Sequence, residues 1–163
     1  MPESERAFHR KVARDCFNRA WDLLDKKRRT AGEDLQMLDL AHTSRYHVGL
    51  VGTPKNRAVG EWQLSRIYAE LGQPRIALRF AKLCLASCKE NDLSDILHTA
   101  DEAMARAYAV GGNYREARVY LERARTRLDS LTLGKGDRKV YLDQIAETET
   151  LVVDGRKEKT APG

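Results

Sequence analysis

Two Asp-x-x-His sequences, Asp39 to His42 and Asp95 to His98, stand out as the residues best placed for chemistry. On a helix, a carboxylate and a histidine three residues apart share a face. Pairs of this kind build di-metal sites in helical bundles when each remaining helix adds a carboxylate. Asp in place of Glu is short for that task. The other histidine spacing gives no ligand pair: His42 and His47 point about 140° apart at 100° per residue. His42 and Arg45 do share a face, with Tyr46 alongside, which makes a polar cluster that is either functional or structural. Cys84 and Cys88 also share a helical face. One helix holds them too far apart for a good disulfide, and no second thiol pair completes a metal site. No Gly-rich phosphate loop, nucleophile elbow or Ser/His/Asp set is present. The reading is therefore a protein without a catalytic motif, without a metal site and without a cofactor.

A third chemistry is electrostatic. The chain has 29 Lys and Arg against 24 Asp and Glu, a formal charge of +5. Lys26-Lys27-Arg28-Arg29 is the one dense run. Basic residues in a last helical turn complement the helix dipole, and this is the reading preferred for the run. With Arg45, Lys55 and Arg57 the same residues would make a nucleic-acid patch. The low aromatic content of 7% argues against that use, because few rings remain for stacking.

The elements that must position these groups read as helices throughout. In 163 residues with 42% hydrophobic and 33% charged composition, one soluble domain is expected. No apolar run reaches the roughly 18 residues needed to span a bilayer. The first residues lack the basic and apolar segments of a secretion signal, and the three cysteines are sparse, so a cytoplasmic location is expected. Apolar residues recur at helical spacing, as in Phe8, Val12, Cys16 and Ala20. No segment alternates long enough for a strand. The fold class is all-α, with about seven helices. Three antiparallel hairpins are expected at about 4–48, 55–90 and 93–131, and a capping helix at about 137–152. Residues 1–153 would form one domain and 154–163 a disordered tail.

A period organises the helices. Gly32, Gly72 and Gly112 lie forty residues apart. Leu64, Ser65, Tyr68, Ala77, Phe80 and Cys84 are matched forty residues later by Met104, Ala105, Tyr108, Ala117, Tyr120 and Ala124. Such a period marks a stack of helix pairs. At these residues the chain resembles the tetratricopeptide repeat family. The likeness is good over about 57–130 and extends weakly to the first hairpin through Trp21, Leu24, Gly32, Met37 and Ala41. Arg28 stands where that hairpin should carry its aromatic. The period of forty, against the family's thirty-four, and the missing closing prolines make this a divergent array.

The resemblance implies a short right-handed superhelix whose first helices line a concave groove for a peptide or partner helix. Carried over by position, the groove columns are Arg19, Asp22 and Lys26; Val59, Trp62, Arg66 and Glu70; and Thr99, Glu102, Arg106 and Val110. Lys26, Arg66 and Arg106 would form one basic row suited to an acidic peptide, with Trp62 as its anchor. The same arginines would otherwise pair with acids one turn away, Arg66 with Glu70 and Arg106 with Glu102. The expected partner is thus a protein or peptide, with self-association through an exposed apolar end as a further possibility. Nucleic acid and membrane are not expected partners.

Overall fold

In the computed structural model the backbone is described for residues 1–160 and the side chains for residues 1–155. Within these residues all the regular secondary structure is helical, with no strand. The seven helices are α1 (Glu3–Leu24), α2 (Ala31–Val51), α3 (Pro54–Glu70), α4 (Pro74–Glu90), α5 (Leu97–Val110), α6 (Tyr114–Asp129) and α7 (Lys135–Thr160). Consecutive helices pair as α1 with α2, α3 with α4 and α5 with α6. Next, α3 lies beside α5, and α7 packs against both α5 and α6. No described helix is long and apolar enough to cross a membrane. Residues 154–160, expected as disordered tail, continue α7, and Ala161–Gly163 lie outside the described residues.

The forty-residue period is built physically in the second and third hairpins. Both turn through a glycine with positive φ, Gly72 at 67° and Gly112 at 75°. Both close with the same two backbone bonds. Gly72 and Gly112 donate to Ala69 and Ala109, each at 3.0 Å; Gln73 and Asn113 donate to Tyr68 and Tyr108 at 2.8 and 2.9 Å. These bonds satisfy carbonyls that the helix end would leave unpaired. Above each turn the repeated aromatics stack across the hairpin. Tyr68 lies 5.7 Å from Phe80 and Tyr108 lies 5.8 Å from Tyr120, centroid to centroid. Ala77, Cys84, Ala117 and Ala124 are fully buried where the paired helices approach. The Ser65 hydroxyl donates to the Ala77 carbonyl at 2.9 Å, so this small residue also ties two helices together.

The first hairpin leaves the period. α1 stops at Leu24, not at Arg28, and the link to α2 is six residues, Asp25–Thr30. The other two links are three residues long, 71–73 and 111–113. Thr30 caps α2 in a reciprocal box with Glu33, which places Gly32 inside the first helical turn. Gly32 is therefore not a left-handed turn residue, although its spacing groups it with Gly72 and Gly112. Gly49 likewise lies within α2, not in a loop after it. The basic run is not a last helical turn: its residues occupy the link. Arg29 alone acts on the α1 terminus, donating to the Leu24 and Lys26 carbonyls at 3.1 and 3.3 Å.

This difference predicts opposite responses at residues of one type. Gly72→Val forces a β-branched residue into a left-handed conformation and should cost about 1–3 kcal/mol. Gly32→Ala should instead raise stability by about 0.5 kcal/mol, because Ala restricts the unfolded chain and suits a helix. Urea unfolding of both variants reads the contrast directly.

Candidate functional site

The expected groove faces α7. Arg66 on α3 and Arg106 on α5 converge on one carboxylate, Glu147 of α7, with Nη2–Oε2 distances of 2.7 and 3.2 Å. Arg106 also donates through Nε to Glu102 at 2.9 Å and through Nη2 to the Gln144 carbonyl at 3.2 Å. The Thr148 hydroxyl donates to the same Glu102 oxygen at 2.6 Å. Burial works against the Glu147 charge. Hydrogen bonds and the field of Arg66 and Arg106 outweigh it, and the carboxyl lies below its ordinary value. Burial opposes the Arg106 charge too, and Glu102 with Glu147 overcomes this and holds its pKa above the usual value. Glu102, Arg106 and Thr148 are all buried. The network links three helices, and each of its charges has an opposite charge within hydrogen-bond reach.

Several groove assignments change as a result. Lys26 lies in the long α1–α2 link and pairs with Glu33, so it does not join a row with Arg66 and Arg106. The physical cause is the six-residue link, which ends α1 before the register position of Lys26. Glu70 pairs with Arg29 at 3.3 Å, and Arg66 reaches past it to Glu147. Only the Glu102–Arg106 pair forms as one-turn spacing suggests.

Trp62 is not an open anchor. It is 9% exposed, packed in the core with Ala58, Cys84, Ala100 and Met104. Its ring lies 5.1 Å from that of Trp21, and Arg66 stands 5.8 Å from the Trp21 centroid. A small cavity of about 240 Å³ remains between Trp62, Val59 and Thr99 on one side and Val140, Tyr141 and Gln144 of α7 on the other. Trp62 Nε1 is buried without a hydrogen-bond partner.

Sequence reasoning missed Glu147, Thr148 and Tyr141, the α7 residues that complete this face. A Tyr, an Ile and a Thr at positions 141, 145 and 148 give helical spacing, which is the signal available for a buried stripe. Ile145 and Thr148 are fully buried, and the Tyr141 ring meets the His98 ring edge-on at 4.4 Å.

The two Asp-x-x-His pairs do not assemble. Asp95 lies before α5 and pairs with Lys55 of α3. His98 is buried at 2% exposure beside Tyr141 and Thr99. Asp39 is exposed, and His42 binds the Tyr68 hydroxyl at 2.9 Å. Among the described residues no group of three His, Cys, Asp or Glu side chains is arranged to hold a metal ion. The Cys84 thiol is raised well above its usual value, first by its contact with Cys88 and then by burial, as suits a packing residue. Of the residues in the basic patch, Lys26, Arg29, Arg45 and Lys55 pair with acids. That leaves Lys27, Arg28 and Arg57 without an acidic partner among the described residues.

His98 carries a prediction. Burial lowers its pKa to about 4, with Asp95 and Glu102 opposing. The unfolded chain protonates this residue near pH 6.5 while the folded chain does not. Stability should therefore fall as pH drops from about 6.5 to about 4, by about 3 kcal/mol from this group. Urea unfolding across that range should show the loss, and His98→Gln should remove it.

No family model, curated protein or solved structure matches the chain.

Proposed function

We propose that this chain is a protein-interaction module of tetratricopeptide-like build whose inner face receives an acidic helical segment. One observation carries the reading: Arg66 and Arg106, forty residues apart on neighbouring hairpins, hold a single carboxylate supplied by a helix laid across them. Arg suits this role because its planar fork matches a carboxylate, and partial burial strengthens the contact. The chain's own α7 fills the place in this state. A partner helix would take it by presenting a carboxylate to the two arginines and apolar residues to the cavity beside Trp62.

The test uses the full chain and a synthetic peptide with the sequence of residues 137–153. Glu147→Lys sets a positive charge between two arginines and should loosen α7. Titration followed by the fluorescence of Trp21 and Trp62 should then show the free peptide binding at least about tenfold tighter than to the unmodified chain, since a competing intramolecular ligand has been weakened. Adding Arg66→Glu should cancel the gain. Equal affinity for the unmodified chain and Glu147→Lys would rule out the inner face as a receptor.

A further inference from the structure

On a different face, α2 and α4 enclose an open cavity of about 810 Å³. Its walls include Arg45 of α2 and Arg75 and Arg79 of α4, with no carboxylate among them. Arg75 and Arg79 are exposed and have no acidic partner among the described residues. They sit four residues apart on one helix, where like charges repel each other. The α4 N-terminus opens into the same space. Its N-cap, Gln73, makes no side-chain cap, so the positive end of the helix dipole adds to the arginines. Arg45 pairs with Glu61 at 3.4 Å and its guanidinium stands 5.7 Å from the Phe80 centroid, so the uncompensated charge of the cavity is that of Arg75 and Arg79. Burial and the neighbouring Arg45 lower the His42 pKa, so His42 is neutral at pH 7 and the arginines set the charge.

Between the arginines the lining is apolar. Ile76 and Leu83 are each 38% exposed, and with Pro74 and Phe80 they make a strip along α4. From Arg75 to Leu83 the strip runs about 12 Å, or two helical turns. We infer that this cavity is a second binding site, for a partner's amphipathic helix that places carboxylates on Arg75 and Arg79 and apolar side chains on Ile76 and Leu83. It does not rest on the inner-face reading, because none of the residues that line this cavity belongs to the Arg66–Arg106–Glu147 network.

The lining selects this occupant over others that carry negative charge. A free anion would engage the arginines and leave Ile76 and Leu83 wet. A single-stranded nucleic acid is held by stacking its bases on open ring faces. Here Tyr68 and Phe80 stack on each other with planes 4° apart, and the His42 ring sits edge-on to both. A flat acidic membrane does not enter a space between two helices.

The experiment pans the full chain against a library of 15-residue helical peptides whose exposed positions vary among Glu, Gln, Lys and Leu. Selected peptides should carry at least two glutamates on one face with leucines beside them. Their affinity should fall at least about tenfold in Arg75→Glu/Arg79→Glu and stay unchanged in Arg66→Glu, which separates this site from the inner face. Both substituted residues are exposed, so the variant should melt like the parent. Selection without enrichment of glutamate, or affinity unaltered by the double substitution, would overturn the inference. So would binding of a 15-nucleotide single-stranded RNA or phosphatidylserine vesicles through the same two arginines without peptide enrichment.

Discussion

Arg106→Met is expected to destabilise the protein by about 3–5 kcal/mol, because it removes one partner of a buried charge network and leaves the other in place. Glu102 is 2% exposed and has two polar neighbours, the Arg106 guanidinium and the Thr148 hydroxyl. Its second oxygen, Oε2, is already buried without a hydrogen-bond partner. Once Arg106 is gone, Thr148 alone cannot compensate the charge. Arg106→Met keeps most of the apolar stem, so lost packing is a small part of the effect. Pairing it with Glu102→Gln should recover a large share of the stability, since the stranded charge then disappears. Urea unfolding of the two single variants and the pair measures the coupling. A cost below about 1 kcal/mol for Arg106→Met would show that water reaches Glu102 and that α7 does not seal the inner face.

Ile145→Asp is expected to have the larger structural consequence, detaching α7 while the hairpins stay folded. Ile145 is 1% exposed in a cluster with Ala105, Leu121, Leu128 and Val152. An isolated carboxylate placed there costs several kcal/mol. Burial of Ile145 and Val152 supplies only about 1.5–3 kcal/mol each, so the substitution removes one of these and adds a larger penalty. Undocking relieves that penalty locally, because the six preceding helices pair among themselves. Hydrogen exchange should rise throughout α7 and at the amides of α5 next to it, while α3 and α4 keep their protection. Global loss of protection would mean instead that α7 is an integral part of the core. If the helix detaches alone, Ile145→Asp should bind the 137–153 peptide in trans more tightly than the unmodified chain does, as Glu147→Lys should, and adding Arg66→Glu should cancel that gain. That links the stability experiment to the proposed receptor role.

Much of the fold was legible in the residues. Apolar spacing together with glycine and proline breaks delimits the helices, and the forty-residue match of Leu64, Tyr68, Gly72, Ala77 and Phe80 to Met104, Tyr108, Gly112, Ala117 and Tyr120 reflects two hairpins with the same turn and the same stacked pair. Local rules suffice there: helix periodicity, a left-handed glycine and small residues at the closest approach depend on neighbours in sequence. Gly32 shows their limit. Its spacing fits the period, yet the Thr30–Glu33 cap starts α2 around it, and competition between two local signals decided the outcome.

The inner face depended on distance in space. Arg66 and Glu147 are 81 positions apart and meet at 2.7 Å. A charge has no preferred partner in sequence; it pairs with whichever opposite charge the packing brings within reach, and desolvation then sets the strength of the pair. The sequence by itself determined an all-helical repeat with basic residues on its first helices. Tertiary structure alone decided that α7 covers Glu102 and Arg106, that Trp62 is buried against Trp21, and that Arg75 and Arg79 remain open, because burial is a property of the assembled helices and no single segment encodes it.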